Sequence, residues 1–159
     1  MTTPTPSQTV GPFFGFAMPF ADDSNALPPH AHDALRIEGQ VLDGEGAPVS
    51  DALLEAWHGE LFARSRTDEE GAFHFTVRKP AAEHRSAPYL NLTVFARGLL
   101  RHLSTRIYFP DEGDANRSDP VLQLVEPERR QTLIAQAGGD TLHFDVRLQG
   151  DGETVFFAV

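Results

Sequence analysis

Hydrophobic and polar residues alternate along several short stretches of this chain. Six stretches have strand character, at residues 35–41, 52–57, 73–77, 90–96, 103–109 and 142–148. An alternation with a period of two is typical of a strand that buries one face. Turn residues such as Gly44, Gly46 and Pro48 separate the first two strands. Short strands at close spacing, with turn signals between them, predict an all-β fold, an antiparallel β-sandwich.

The beginning of the chain has a different composition. Residues 1–29 contain half of the 12 prolines of the chain, which disfavours a long helix or a central strand. We therefore predict an extended N-terminal arm over residues 1–34 and the sandwich domain over residues 35–159. Such an apolar arm is predicted to bury its aromatic rings against this domain or against a partner chain. The phenylalanines of the arm are Phe13, Phe14, Phe16 and Phe20.

One short helix is predicted late in the chain. Pro127 suits a first helical turn, and Glu128 favours the positive end of the helix dipole. Leu133 and Ile134 supply an apolar patch, and Gly138 is a natural stop.

Composition and charge narrow the functional classes. A chain of 159 residues with 40% hydrophobic content has enough apolar surface for one core and one domain. Its net charge of -10 argues against binding to nucleic acid or to an anionic membrane, because both need clustered Lys and Arg. No run approaches membrane-spanning length, and no Lys or Arg precedes Arg36, so neither a span nor a secretory signal is expected. The 0 Cys exclude disulfides and thiolate metal sites and fit a cytoplasmic protein.

The candidates for catalytic chemistry on this chain are few. His30 and His32 are the only closely spaced histidines, and on an extended segment both rings would lie on one side, where a metal could use them. Two histidines in a proline-containing loop are more often solvated, and no third ligand is identifiable. His74, His102 and His143 fall on the polar side of their strands. The chain has no nucleophile elbow, phosphate-binding loop or dinucleotide fingerprint.

Longer segments resemble a known family. The similarity covers most of the chain and includes its two ends. The segments lie at residues 5–13, 51–57, 87–98, 105–109, 127–135 and 149–157. They resemble the alpha-type subunits of the intradiol ring-cleaving dioxygenases that act on protocatechuate. The resemblance implies a role in aromatic compound catabolism, in the beta-ketoadipate pathway, by a complex that cleaves protocatechuate with O2 to 3-carboxy-cis,cis-muconate.

The resemblance also implies that this chain carries no metal. Catalytic subunits of the family hold Fe(III) with two Tyr and two His, and the two histidine positions correspond here to Tyr89 and Asn91. The only other tyrosine, Tyr108, matches a position with a structural role. The segments at residues 58–66 and 79–87 are shorter than the corresponding segments of the catalytic subunits, which carry the tyrosinate ligands. The resemblance therefore implies a hetero-oligomer in which an iron-bearing beta-type subunit holds the Fe(III) and this chain alone is inactive.

The resemblance further implies which residues bind a small aromatic acid substrate. The residue matching Arg97 binds the substrate carboxylate across the subunit boundary, a task that suits a planar, permanently charged guanidinium. Thr9, Gly11, Pro12 and Phe13 match a loop that lines the pocket of the neighbouring subunit. Alpha-type chains often have Tyr at the position of Phe13, so any hydrogen bond from that hydroxyl is absent here.

The parity of the strand before Arg97 supports its placement. If the strand is unbroken, Arg97 shares one face with Tyr89 and Asn91, opposite to the core-facing Leu90 and Leu92. The alternative for Arg97 is a solvated arginine at a strand end with no functional role.

Two other functional classes stay open. The glycine-rich hairpin over residues 39–49 looks like the entry hairpin of many sandwich modules, and it favours a free-standing transthyretin-like binding module. An enzyme with its own metal site around His30 and His32 is the third hypothesis.

Overall fold

The computed structural model describes residues 11–83 and 85–158. In this part of the chain, nine strands and several short helices form the fold. The strands are β1 Leu35–Leu42, β2 Leu53–His58, β3 Leu61–Arg66, β4 Ala72–Val77, β5 Tyr89–Phe95, β6 Leu103–Tyr108, β7 Gln136–Gly138, β8 Thr141–His143 and β9 Val146–Arg147. The helices are α1 Phe14–Ala17, α2 Gly113–Ser118 and α3 Pro120–Leu124, with 3₁₀ turns at Gly11–Phe13 and Pro127–Leu133.

Two sheets form a sandwich, as the alternation predicts. The first sheet has the order β4-β1-β8-β7, with β9 also paired to β1, and the second has the order β3-β2-β5-β6. Most neighbours are antiparallel, including every pair of the second sheet. Strand β1 differs, because it pairs in parallel with β8 and with β9. The predicted sandwich is confirmed, with this parallel contribution from the end of the chain.

The core lies between the two sheets and follows the predicted parity. Ile37 and Phe75 of the first sheet and Leu54 and Leu90 of the second are fully buried in one cluster. Apolar side chains at every second position of a strand point to the same face, so both sheets present a continuous apolar surface to each other.

The stretch predicted as one strand over residues 142–148 is two short strands. Glu38 pairs with His143 and Val41 with Val146, so both pieces keep one register. Between them, the backbone N–H of Gln40 donates to the Asp145 carboxylate at 3.0 Å, and this interrupts the backbone ladder. The predicted alternation of buried residues is correct here, whereas strand continuity is not.

The predicted helix begins correctly and ends too late. A 3₁₀ helix covers Pro127–Leu133, and the chain then enters strand β7. The N–H of Ala135 donates to the carbonyl of Tyr108 at 3.0 Å, and β7 pairs with β8, so hydrogen bonds to distant strands replace the last helical turn. Helices α2 and α3 were not predicted. Their signal is present, since Asp119 caps the helix that begins at Pro120.

The arm residues that are described lie against the sandwich. Residues 11–17 form a 3₁₀ turn and a short helix, and Asn25 forms a parallel bridge with Thr76 of β4. Phe14 is 8% exposed, whereas Phe13 is 71% and Phe20 is 73% exposed. Of these three rings, the arm therefore buries one on this domain and leaves two facing outward. The boundary between residues 34 and 35 stays a prediction, and β1 begins at Leu35.

Within the described residues, no helix combines the length and the apolar character needed to cross a membrane.

Candidate functional site

The candidate site occupies the face of the second sheet that points away from the core. Along β5, the residues from Tyr89 to Phe95 alternate between partly exposed and buried, with Leu90, Leu92 and Val94 buried. The strand is unbroken from Tyr89 to Phe95, so the predicted parity is confirmed for these residues. We call the opposite side, which carries Tyr89 and Asn91, the outer face.

Tyr89 and Asn91 lie in an aromatic and cationic setting. The Arg106 guanidinium carbon lies 3.9 Å from the centroid of the Tyr89 ring. The His58 ring packs edge-on against the same ring, with 5.2 Å between the two ring centroids. Asn91 is exposed, with Arg106 and Trp57 as its neighbours on β6 and β2. A guanidinium held over an aromatic face is a favourable cation–π contact, so Arg106 contributes to the order of this surface.

Tyr108 lies on the same side of the sheet but is fully covered. It packs with Leu122 and Leu133 in a second apolar cluster, beneath helix α3 and the following 3₁₀ helix. Burial raises the pKa of Tyr108 to about 12, against the opposing effect of Arg106, and Asp119 adds to the rise. A phenol in this setting resists ionisation. Its structure agrees with the structural role expected from the sequence.

The described residues near Tyr89 and Asn91 do not fit the two-Tyr, two-His ligand set that the resemblance assigns to catalytic subunits. Asn91 offers an amide in place of an imidazole, and the Tyr108 hydroxyl is committed to Asp119 at 3.1 Å. In the described ranges, no group of three or more His, Cys, Asp or Glu side chains is arranged to hold a metal. The turn between β2 and β3 consists of Gly59 and Glu60 alone, so no long segment rises over Tyr89 there.

His30 and His32 do not form the extended segment that a shared metal site would need. Both residues are exposed and lie in successive turns. The hypothesis of an independent metal site around them gains nothing from this geometry.

Arg97 lies just beyond the end of β5. Ala96 is buried, and Gly98 adopts a φ of 89°, which turns the chain after the strand. The Arg97 side chain is 73% exposed, and its Nε lies 3.2 Å from Oδ2 of Asp51. In the part of the chain that the structure describes, this ion pair is its only polar side-chain contact, so the outer edge of the guanidinium faces solvent.

The loop predicted to line a pocket is described in part. Gly11 has a φ of 70°, a backbone conformation that favours glycine, and it begins the 3₁₀ turn that contains Pro12 and Phe13. Thr9 lies outside the described residues. The ring of Phe14 packs 6.3 Å from the ring of Phe95. Because Phe95 is two residues before Arg97, the arm and the candidate carboxylate anchor meet at the same end of the sheet.

A buried ion pair on this face was not predicted from the sequence. Glu55 is 8% exposed, and its Oε1 accepts hydrogen bonds from Nε and Nη2 of Arg64 at 3.0 and 2.8 Å. The available signal was a charged residue inside the apolar run of β2, between Leu54 and Ala56. Glu55 lies on the face of β2 that points away from the core. If another segment of the protein covers that face, the carboxylate needs a charged or hydrogen-bonding partner.

Comparison with known proteins places these features in a family, although no protein-family model matches the chain. The protocatechuate 3,4-dioxygenase alpha chain of Burkholderia cepacia is 41% identical over 191 residues, covering 98% of this chain and 97% of the relative. The alpha chain of Pseudomonas putida is 37% identical, covering 96% of this chain and 95% of the relative. The corresponding beta chain of Burkholderia cepacia is 26% identical, covering 77% of this chain and 67% of the relative.

Solved structures show the same fold at lower identity. A dioxygenase domain from Streptomyces sp. SirexAA-E has a TM-score of 0.66 at 21% identity, covering 93% of this chain and 99% of that chain. Catechol 1,2-dioxygenase from Acinetobacter sp. ADP1 has a TM-score of 0.56 at 16% identity, covering 82% of this chain and 58% of that chain. Identity above one third over almost the whole length, together with a shared sandwich, decides the assignment. This chain belongs to the family of protocatechuate 3,4-dioxygenase alpha chains.

Proposed function

We propose that this chain is the alpha subunit of a protocatechuate 3,4-dioxygenase and completes the substrate pocket of an iron-bearing beta-type partner. The partner's Fe(III) supplies the ring-opening chemistry, and this chain supplies binding and shape. Full-length similarity to two alpha chains and weaker similarity to a beta chain support a hetero-oligomer. The cysteine-free sequence fits a cytoplasmic site of action.

Arg97 is proposed to hold the carboxylate of the aromatic acid. The net charge of -10 repels an anionic substrate at long range, so a local cation is needed near the pocket. A guanidinium offers a planar pair of N–H groups that matches the two carboxylate oxygens. The single observation that carries the proposal is the geometry of Arg97, whose Nε faces Asp51 while the rest of its fork points outward at 73% exposure.

The loop over residues 9–13 is proposed to form one wall of the partner's pocket. Phe13 is 71% exposed, immediately before the buried Phe14. An exposed ring next to an anchored one suits a surface that another chain covers. The loop therefore acts by shape, whereas Arg97 acts by charge.

The test is the kinetics of the reconstituted alpha–beta complex. In Arg97→Ala, the KM for protocatechuate should rise about ten- to hundredfold, the range expected for losing a charge-assisted pair. The KM for catechol, which has no carboxylate, should change little. Arg101→Ala is the matched control, because Arg101 is an exposed arginine in the following loop. Equal effects of Arg97→Ala on both substrates would remove Arg97 from the carboxylate role.

Co-expression separates this proposal from a free-standing transthyretin-like binding module. With a beta-type chain, the proposal expects a coloured complex that contains iron and both polypeptides. A monomer that ignores the beta-type chain would favour the binding module. Ring-opening activity of the purified chain alone would contradict the proposal directly.

A further inference from the structure

We propose that Arg64, held by Glu55, is a positioning residue that fixes the arm on the outer face and so sets where residues 11–13 meet the partner subunit. This inference rests on the proposed function, because it takes the wall-forming role of that loop as its starting point. It adds a residue that contacts neither substrate nor metal.

Both members of the ion pair are residues of the second sheet, and the pair is formed within that sheet. Glu55 and Arg64 lie directly opposite each other on β2 and β3. Their side chains are only 10% and 15% exposed. A covered carboxylate is costly unless it is paired and hydrogen-bonded, and here one oxygen accepts from two guanidinium nitrogens. The two side chains are therefore held in one orientation.

The remaining nitrogen of the guanidinium contacts the arm. Nη1 of Arg64 donates to the carbonyl oxygen of Met18 at 2.8 Å and lies 3.7 Å from Oδ2 of Asp23. The backbone N–H of Arg64 also donates to the carbonyl of Asp23 at 2.7 Å. Because the N–H groups of a guanidinium form a rigid fork, orienting two of its nitrogens on Glu55 also orients the third on the arm.

A second attachment lies on the other side of the short helix. Phe14 is buried against Phe95, and the N–H of Met18 donates to the carbonyl of Phe14 at 3.2 Å. The segment from residue 14 to residue 18 is therefore held at both ends. The exposed Phe13 directly precedes this anchored segment, so its position on the surface is fixed by the anchor.

Loss of the Arg64 contact should free the arm without changing the chemistry. A hydrogen bond to a charged group shifts an opening equilibrium by about tenfold or more, and a locally opened arm presents its loop for a smaller fraction of the time. The apparent affinity falls by the same fraction. Because the loop acts by shape, protocatechuate and catechol should be affected alike, unlike in Arg97→Ala.

The experiment uses the double variant Glu55→Leu/Arg64→Met in the reconstituted complex. Replacing both charges by apolar side chains avoids a stranded carboxylate and is expected to leave the melting temperature nearly unchanged. Hydrogen exchange at the Met18 amide should accelerate about tenfold or more, and KM should rise about threefold or more for both substrates at nearly constant kcat. The matched control is Glu38→Leu/Arg36→Met, which removes an exposed ion pair of 2.9 Å from the other sheet.

The outcomes separate the anchor from the proposed function. Unchanged Met18 exchange together with unchanged KM overturns the anchoring role of Arg64. Faster exchange with unchanged KM keeps the anchor and overturns the wall-forming role of the loop. If the double variant does not fold, Arg64→Lys replaces it. An ammonium has no planar fork to span Glu55 and Met18 with separate nitrogens, so the same direction of change is expected, with faster exchange at Met18 and a higher KM for both substrates.

Discussion

The phenolic hydroxyl of Tyr108 donates a hydrogen bond of 3.1 Å to Oδ1 of Asp119, and both side chains are fully buried. The same oxygen accepts from the N–H groups of Val121 and Leu122 at 2.9 Å, at the start of α3. The other oxygen accepts from the N–H of Ala87 at 2.9 Å. One carboxylate thus joins β6, helix α3 and the segment before β5.

Asp119→Ala should therefore be strongly destabilising. The change removes a helix cap and leaves buried donors without an acceptor, so the free energy of unfolding should fall by about 3 kcal/mol. Asp119→Asn keeps a neutral acceptor and should cost about half as much. Urea denaturation measures both values. Asp114→Ala is the control, because the Asp114 side chain is 95% exposed, and a loss as large as that of Asp119→Ala would contradict the role of the buried network.

Tyr108 should ionise only at high pH. In Tyr89→Phe, the remaining tyrosine should show no phenolate absorbance below about pH 11 while circular dichroism reports a folded protein, because its pKa is raised to about 12. Since the folded-state pKa exceeds the ordinary value of 10.0, the folded protein holds the proton more tightly than the unfolded chain. Stability should thus be lost as pH rises from about 10 towards 12. A midpoint near 10 in the folded protein would contradict this assignment.

Gly39→Ala should disrupt the contact between β1 and the end of the chain. A Cβ at Gly39 would collide with the backbone carbonyl of Phe144. Because the obstacle is backbone and not the end of a flexible side chain, it cannot move aside easily. We expect a loss of about 2–3 kcal/mol in the free energy of unfolding, from overpacking against backbone. Gly113→Ala is the matched control. At Gly113 the nearest atom to an added Cβ is in the flexible Arg117 side chain, at 3.7 Å, so little loss is expected.

His74 should make stability depend on pH below neutrality. Burial lowers the pKa of His74 from 6.5, with a further decrease from Arg36 that Glu38 partly opposes. The unfolded chain then binds more protons than the folded one, so stability falls as pH drops through about 6.5. His74→Gln should flatten this dependence between pH 5 and 7 in thermal unfolding. An unaltered pH profile in His74→Gln would assign the dependence to other groups.

Sequence reasoning was reliable where the property is local. Alternation located five of the six longer strands, β1, β2, β4, β5 and β6, with their buried faces, and it gave the correct buried positions through the interrupted stretch near Asp145. It did not anticipate the interruption itself, because the side chain of Asp145 replaces a backbone acceptor for Gln40 on another strand. Strand β3 and the short β7 were also missed. The two-residue turn at Gly59 and Glu60 makes β3 part of a tight hairpin within residues 58–66, where the alternation had predicted no strand.

In the candidate site, too, the sequence predicted local features but not the contacts between residues that are distant in the chain. Strand parity is confirmed for Tyr89 to Phe95, whereas Arg97 lies two residues beyond the end of β5 with its side chain 73% exposed, and its role in substrate binding stays a prediction. Its contact with Asp51 was not foreseen, since the two residues are brought together by the pairing of β2 with β5. The roles of Thr9, Gly11, Pro12 and Phe13 in substrate binding stay predictions.

The sequence by itself determined which side of each strand a residue occupies, and, through its similarity to alpha chains, the family to which the chain belongs. Only the tertiary structure decided which outward-facing residues are covered. Glu55 and Tyr108 are buried while Asn91 is exposed, although all three lie on one face of one sheet. The reason is physical: a strand's own pattern sets direction, whereas the arm and helix α3 that cover this face come from distant parts of the chain.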